Sequence, residues 1–198
     1  MSTITDRRSP SLYQVAQNQL HKNTSKWLVA GIFVVAILWK HDAEVLWASM
    51  GCVLNSYLSI VLKKVINQER PSTLGSGPGM PSSHAQSIFF AVVYAILSMV
   101  KCWGLNEYTI TVAVLAFAFS SYLSWLRVSL RHHTISQISV GAVIGTIMSI
   151  LWFHTWYGVV LSAFIANLWV RIVVVLGSAA VCVGFGLYVI LHWLNEDQ

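Results

Sequence analysis

Charged residues are scarce in this 198-residue sequence. They make up 10% of the chain, whereas soluble domains carry roughly 25%. Acidic residues are the fewest, with seven Asp and Glu against twelve Lys and Arg. Hydrophobic residues fill 56% of the chain, and their stretches are too numerous and evenly spread to enclose a soluble core. These features predict an all-α membrane protein with one helical domain.

Cysteine is also rare, and its number is odd: Cys52, Cys102 and Cys182. Two of the three lie inside apolar stretches, so we expect structural thiols rather than a disulfide framework.

The first 25 residues are polar and lack the apolar centre of a secretory signal, although a trimmed organelle-targeting segment is an alternative for them. The net charge of +5 is not concentrated in a basic run interleaved with aromatics, so we expect anionic lipid rather than nucleic acid as the partner.

Six apolar stretches are candidates for membrane-crossing helices, because a bilayer core requires about 17 to 25 helical residues. They cover residues 26–39, 45–62, 87–100, 109–125, 135–153 and 172–193. We therefore predict a polar tail over residues 1–25 and a six-helix membrane domain over residues 26–195. Residues 157–169 are apolar as well, and their pattern fits either an interfacial segment or part of the last helix.

Six crossings would place both termini and the loops at residues 63–81 and 127–134 on one membrane face. Nine of the twelve basic residues would lie on that face: Arg7, Arg8, Lys22, Lys26, Lys63, Lys64, Arg70, Arg127 and Arg131. The positive-inside rule would make it the cytoplasmic or stromal face. A phosphate site also requires cations, so the same concentration of charge would be expected on either face of the membrane.

The first polar cluster contains Lys63 and Arg70, which are seven residues apart. Seven residues is close to two helical turns, so the two cations would share one face of a helix that Pro71 stops. Such a pair could hold a phosphate. The alternative interpretation is a basic cluster that anchors a membrane helix to lipid headgroups.

The second cluster, residues 79–86, reads Gly-Met-Pro-Ser-Ser-His-Ala-Gln and directly precedes an apolar stretch. Proline at a helix start and the amides of the first turn, near Ser82 and Ser83, are typical of an anion site. His84 would lie in that turn and could donate a proton to a leaving oxygen. A histidine near a membrane interface can also be an ordinary polar residue of the belt.

The third cluster lies between the fourth and fifth apolar stretches and contains Arg127, His132, His133 and Gln137. If a helix begins near His133, Gln137 lies one turn further on the same face. Its side-chain oxygen could then accept a hydrogen bond from one ring nitrogen and leave the other free to attack. Adjacent histidines diverge by about 100° in a helix, and Glu69 is the one carboxylate near any cluster. We therefore expect no catalytic metal and no other cofactor.

The order and spacing of these clusters resemble the three signature motifs of the type 2 phosphatidic acid phosphatase superfamily. Those motifs are Lys, six residues, Arg-Pro; Pro-Ser-x-His; and Arg, five residues, His, three residues, Asp. This sequence has Ser83 where Gly is usual and Gln137 where Asp is usual. Its Gly-Met-Pro-Ser-Ser-His and His-Thr-x-Ser-Gln stretches look more like the dolichyl-diphosphatase branch and the plant plastid lipid phosphate phosphatases.

The resemblance implies a metal-independent hydrolase that acts on phosphatidate or on a polyprenyl diphosphate through a phosphohistidine. It implies His133 as nucleophile, His84 as general acid and base, and Gln137 as the residue that orients His133. The implied phosphate-binding residues are Lys63, Arg70, Arg127, Ser82 and Ser83. On this basis Gln137→Asp should retain or raise activity, since a carboxylate also favours the imidazolium.

Both the plastid envelope and the endoplasmic reticulum are compatible with the sequence, and the oligomeric state stays open. One alternative function is a phosphotransferase, which would use the same site to pass the phosphoryl group to another lipid or a sugar. A second alternative is an anion transporter. That reading predicts polar residues through several helix centres, whereas the ionisable residues here crowd one end of the helices.

Overall fold

The computed structural model describes residues 42–69 and 78–196, and the regular structure within them is entirely helical. In chain order the segments are α1 (Ala43–Ile66), α2 (Ser83–Trp103), α3 (Glu107–Ser129), α4 (Ile135–Thr155), a π-helical turn (Trp156–Val160), α5 (Leu161–Ala166) and α6 (Leu168–Glu196). Among the described residues, five helical segments are long and apolar enough to cross a membrane. The predicted all-α polytopic membrane fold is confirmed.

The five described crossings correspond to the second to sixth predicted ones. The first predicted crossing, at residues 26–39, lies outside the described residues, as does the predicted end of the tail at residue 25. Residues 157–166 form neither an interfacial segment nor part of the last helix, because they extend the fifth crossing as one helical segment, Ile135–Ala166. Asn167 ends this segment with an extended backbone, φ −134° and ψ 118°. The last helix begins directly afterwards, four residues earlier than predicted.

Three of the helices begin at polar residues that cap them. The side chains of Ser82, Asn106 and Thr134 each accept a hydrogen bond from the backbone N–H three residues later, at 3.5, 2.9 and 3.3 Å. Such caps satisfy amides that have no acceptor within the helix. Two of these caps, Ser82 and Thr134, lie at the starts of α2 and α4, where the second and third polar clusters of the sequence are found.

Helix α4 packs against α2 through a face of mostly small residues. Every fourth residue of α4 is buried on this face: Gln137, Gly141, Gly145, Ser149 and Phe153. A Cβ atom on Gly141 would lie 2.6 Å from the Ser82 carbonyl oxygen, and one on Gly145 would overlap the Gln86 carbonyl. The two glycines therefore allow the backbones of α2 and α4 to approach closely, as small residues do between membrane helices.

Hydrogen bonds between buried polar side chains join α1 to α2. The Gln86 Nε2 group donates to the side-chain and main-chain oxygens of Asn55 at 2.9 and 3.0 Å, and Asn55 Nδ2 donates to the Gln86 carbonyl at 3.3 Å. One turn further along α1, the Ser59 hydroxyl donates to the Ser83 hydroxyl at 2.7 Å. Because unpartnered polar groups are costly inside a bilayer, these bonds fix the axial register of the two helices.

Aromatic contacts join the start of α1 to the end of α4, at the opposite end of the bundle. The rings of Trp47 and Trp152 stack with their centroids 4.6 Å apart. Each indole N–H donates to the carbonyl of the other residue, at 3.3 and 2.8 Å. Glu44 accepts further hydrogen bonds from Ser98 and Tyr157 at 2.7 and 2.9 Å. The end of the bundle that carries the three polar clusters is therefore built on helices fixed at both ends.

Candidate active site

Helix α1 brings the first cluster to the site, but it ends earlier than the sequence predicted. Asn67 adopts the left-handed conformation (φ 45°), and its N–H donates to the Lys63 carbonyl at 3.0 Å. Asparagine tolerates this conformation, which is a common end for a helix. The predicted helix through Lys63 and Arg70 is therefore wrong, because residues 67–69 are not helical. Lys63 lies partly buried in the last turn of α1, and Arg70 lies outside the described residues.

The chain returns to the same place after the first cluster. The Gly79 N–H donates to the Gln68 carbonyl at 2.6 Å, so residues 68 and 79 lie side by side. Pro81 and Ser82 follow, both fully buried, and α2 begins at Ser83. The helix of the third predicted crossing therefore begins at Ser83, within the second cluster, rather than at residue 87.

Ser82 joins α2 to α4 through its main chain. Its N–H donates to the Gln137 carbonyl at 3.0 Å, and its carbonyl accepts from the Gln86 N–H at 3.0 Å. The Ser82 amide, a candidate phosphate ligand in the sequence, is thus occupied by a main-chain acceptor. The amides of Ser83 and His84 occupy the first two helical positions and have no acceptor within the helix. They are the donors that this helix end can offer to an anion.

His84 lies in the first turn of α2 and is partly buried. It interacts electrostatically with Arg127, in the last turn of α3, and with His133. The structure thereby brings together one residue of the second cluster and two of the third. Between Arg127 and His133 the chain turns sharply, with Arg131 in the left-handed conformation (φ 55°) and the His132 N–H donating to the Arg127 carbonyl at 3.1 Å.

His133 lies just before α4 and is buried, with 8% of its surface exposed. The helix begins at Ile135, so His133 and Gln137 do not share a helical face as the spacing suggested. A capping box between Thr134 and Gln137 brings the two side chains together instead. The Thr134 hydroxyl accepts from the Gln137 N–H at 3.3 Å, and Gln137 Oε1 accepts from the Thr134 N–H at 3.2 Å. This turns the Gln137 side chain back towards His133, where Oε1 lies 3.2 Å from the ring Nδ1.

Two main-chain groups fix the orientation of the Gln137 side-chain amide. Oε1 accepts from the Thr134 N–H, and Nε2 donates to the Glu69 carbonyl at 3.0 Å. A backbone N–H can only donate and a carbonyl can only accept, so the amide oxygen and nitrogen cannot be exchanged. Because Oε1 is an acceptor, the His133 Nδ1 that contacts it carries the proton. His133 Nε2 is then the unprotonated ring nitrogen, and its lone pair gives it the character of a nucleophile.

Two groups that build this site, the Glu69 carbonyl and Thr134, are not among the residues predicted from the sequence. The Glu69 carbonyl could not be found from the sequence, because a main-chain group leaves no residue-specific signal. Thr134 did leave one: Thr-x-x-Gln before an apolar run is a capping-box pattern. Within residues 42–69 and 78–196, no group of three or more His, Cys, Asp or Glu side chains is arranged to hold a metal ion.

A known protein family matches the part of the chain that contains this site. Residues 44–160, which include all three clusters, match the family model of the PAP2 superfamily. The chain belongs to the PAP2 superfamily, and the resemblance drawn from the sequence is confirmed.

Two curated relatives illustrate the similarity. Lipid phosphate phosphatase epsilon 2, chloroplastic, from Arabidopsis thaliana is 46% identical over 175 residues, which cover 88% of this chain and 61% of that protein. Dolichyldiphosphatase 1 from Homo sapiens is 32% identical over 136 residues, which cover 61% of this chain and 56% of that protein. The chain thus spans less than two thirds of the length of these relatives.

A solved structure shares the fold. The crystal structure of the first transmembrane PAP2 type phosphatidylglycerolphosphate phosphatase, from Bacillus subtilis, superposes with a TM-score of 0.62 at 17% identity, over 77% of this chain and 80% of that one. A transmembrane neighbour, together with five apolar helices in the described part of the chain that are long enough to cross a bilayer, identifies this chain as an integral, multi-pass membrane protein.

Proposed function

We propose that this protein is a lipid phosphate phosphatase, which hydrolyses phosphatidate or a polyprenyl diphosphate at one membrane face. The observation that carries the proposal is the buried His133, with Nδ1 against Gln137, beside a His84 that interacts electrostatically with both His133 and Arg127. The names of the relatives, a chloroplastic lipid phosphate phosphatase and a dolichyldiphosphatase, support lipid phosphate as the substrate class. They also support the plastid envelope or the endoplasmic reticulum as its location.

In the first step, His133 Nε2 attacks phosphorus in line with the leaving lipid oxygen. The N–P bond forms as the P–O bond breaks, and protonated His84 donates its proton to the departing oxygen. Lys63, Arg70 and Arg127 hold the non-bridging oxygens together with the amides of Ser83 and His84. These groups act by position and charge, which is the main source of catalysis in phosphoryl transfer.

In the second step, water hydrolyses the phosphohistidine. His84, now neutral, takes a proton from the water as its oxygen attacks phosphorus. The N–P bond breaks, inorganic phosphate leaves, and His133 returns to its starting form. In both steps Ser82 acts indirectly, because its side chain caps α2 and its amide is held by Gln137.

The neutral Gln137 holds His133 in the reactive tautomer, but it stabilises a positively charged ring less than a carboxylate would. We therefore propose a nucleophile whose orientation is fixed by a neutral amide, so that position 137 adds no negative charge to stabilise the charged ring. The roles of all these residues rest on the geometry of the site and on the family of the chain.

The test is a phosphate-release assay with the purified full chain in detergent micelles. The panel contains phosphatidate, lysophosphatidate and a polyprenyl diphosphate, and a mock purification from cells without the chain is the control. We expect free inorganic phosphate from at least one of these lipids. A folded protein that releases none would contradict the proposal. Transfer of the phosphoryl group to a second lipid without free phosphate would favour the phosphotransferase instead.

A further inference from the structure

Two serine hydroxyls meet between α1 and α2, next to residues of the site. The Ser59 Oγ donates to the Ser83 Oγ at 2.7 Å. Ser59 lies one helical turn before Lys63 on α1, and Ser83 directly precedes His84 at the start of α2. The pair therefore connects the cationic end of α1 to the first turn of α2. The mechanism described above uses the main-chain amide of Ser83 but neither of the two hydroxyls.

The two serines differ in their access to a ligand. Ser59 is completely buried, whereas Ser83 is partly exposed. A hydroxyl has one hydrogen to donate and two lone pairs that accept. The Ser59 hydrogen has to find its acceptor inside the protein, and that acceptor is the Ser83 oxygen. Within residues 42–69 and 78–196, the Ser83 hydroxyl makes no second hydrogen bond, so its own hydrogen is left for a group outside the pair.

We propose that the Ser83 hydroxyl donates to a non-bridging oxygen of the bound phosphoryl group, and that Ser59 is the residue that positions it. This inference rests on the proposed function. His84, the next residue, interacts electrostatically with Arg127 and His133, so the start of α2 lies where the phosphoryl group is proposed to bind. A hydroxyl there would donate to a charged oxygen, and such hydrogen bonds are roughly twice as strong as those between neutral groups.

Ser59 assists Ser83 in two ways. Its hydrogen bond restricts the rotation of the Ser83 side chain, so less conformational freedom is lost when a phosphate binds. It also polarises the Ser83 O–H group, because hydrogen bonds in a chain strengthen one another. The superfamily pattern has glycine at position 83, and glycine offers only its main-chain amide. The serine of this chain adds a side-chain donor, and the buried Ser59 is the partner that holds it in place.

The inference is tested with Ser83→Ala, with Ser59→Ala and with the double variant that carries both changes. The matched control is Ser87→Ala, because Ser87 lies one turn further along α2 and contacts the Ser56 hydroxyl of α1 at 3.5 Å. Thermal unfolding of each variant establishes that it is folded. Binding of inorganic phosphate to the purified full chain is measured by titration calorimetry, so that the result does not depend on turnover.

We expect Ser83→Ala to weaken phosphate binding by about tenfold, through the loss of one hydrogen bond to a charged acceptor. Ser59→Ala should weaken it by about threefold, because Ser83 keeps its hydroxyl but loses the partner that positions it. The double variant should bind no more weakly than Ser83→Ala, since Ser59 acts only through Ser83. Ser87→Ala should bind phosphate like the wild type.

The KM for phosphatidate identifies which phosphate the hydroxyl contacts. We expect KM to rise with the phosphate Kd in Ser83→Ala, because the lipid headgroup and free phosphate present the same kind of oxygen. That result would assign the donor to the bound lipid as well as to the product. A weaker phosphate affinity with an unchanged KM would assign it to the released phosphate alone.

Wild-type phosphate affinity in Ser83→Ala would overturn the inference, as would a wild type that binds no phosphate. An equal loss in Ser87→Ala would also overturn it, because the cause would then be the packing of α1 against α2. Losses that multiply in the double variant would remove Ser59 as the positioning residue. All of these results leave the proposed function standing, provided that the wild type releases phosphate from lipid. A wild type that hydrolyses no lipid would contradict the proposed function, and the phosphate affinities would still decide the inference.

Discussion

At the residue scale, the proposed mechanism places the attacking nitrogen on His133. We expect His133→Ala to abolish turnover, since no other group offers the attacking nitrogen. His132→Ala is the matched control, because His132 has the same side chain one position earlier. Phosphate release measures turnover, and acid-labile labelling of the protein by ³²P-labelled substrate detects the phosphohistidine. An inactive His132→Ala beside an active His133→Ala would move the nucleophile to His132.

The loss of activity on removing His84 should increase with the basicity of the leaving group. His84→Ala should slow the release of a basic lipid alkoxide much more than that of an acidic phenol, which needs no proton. The measurement compares kcat/KM for phosphatidate with that for an aryl phosphate monoester. An equal loss for both substrates would show that His84 does not act as the acid.

The site residues differ in how far the sequence could define them. The nearness of Gln137 to His133 was predictable from spacing, although a capping box produces it rather than a shared helical face. The sequence predicts the end of α1 at Pro71, because proline stops a helix. Asn67 ends the helix four residues earlier by adopting a left-handed conformation. The Glu69 carbonyl left no trace in the sequence at all.

At the scale of elements, the close approach of α2 and α4 positions the second and third clusters. Gly145→Ala should lower the melting temperature, because the added Cβ would overlap the Gln86 carbonyl. Gly177→Ala in α6 is the matched control, since a Cβ there meets no atom within 4 Å. In the control, alanine should be neutral or stabilising by up to about 1 kcal/mol, because it is the better helix former. Equal melting temperatures for the two variants would contradict the close packing.

The crossings themselves were more predictable than their ends. Long apolar runs marked five helices that the structure contains, because a bilayer permits little else over such a length. The continuation of α4 through the π-helical turn to Ala166 was not predicted. Polar and interfacial residues at positions 154–158 (His-Thr-Trp-Tyr-Gly) predict the end of the crossing at residue 153, whereas the helix continues through them. The break at Asn167 depends on the conformation of a single residue.

At the scale of the whole molecule, the charge balance favours a site that binds phosphate with cationic side chains. We expect turnover to survive an excess of EDTA, because Lys63, Arg70 and Arg127 supply the positive charge that a metal would otherwise provide. The assay compares phosphate release with and without the chelator. Loss of turnover in EDTA that magnesium restores would contradict this prediction. Unchanged activity would agree with the metal-independent mechanism.

The main-chain partners of Gln137 also affect which changes the gene can tolerate. Every residue type has a carbonyl, so a codon change at position 69 leaves the acceptor for Gln137 in place. Proline is the one residue type whose introduction at position 134 would remove the N–H that Gln137 contacts. At position 137, by contrast, the donor and acceptor belong to the side chain. Most substitutions should therefore be tolerated at position 69, and few at position 137.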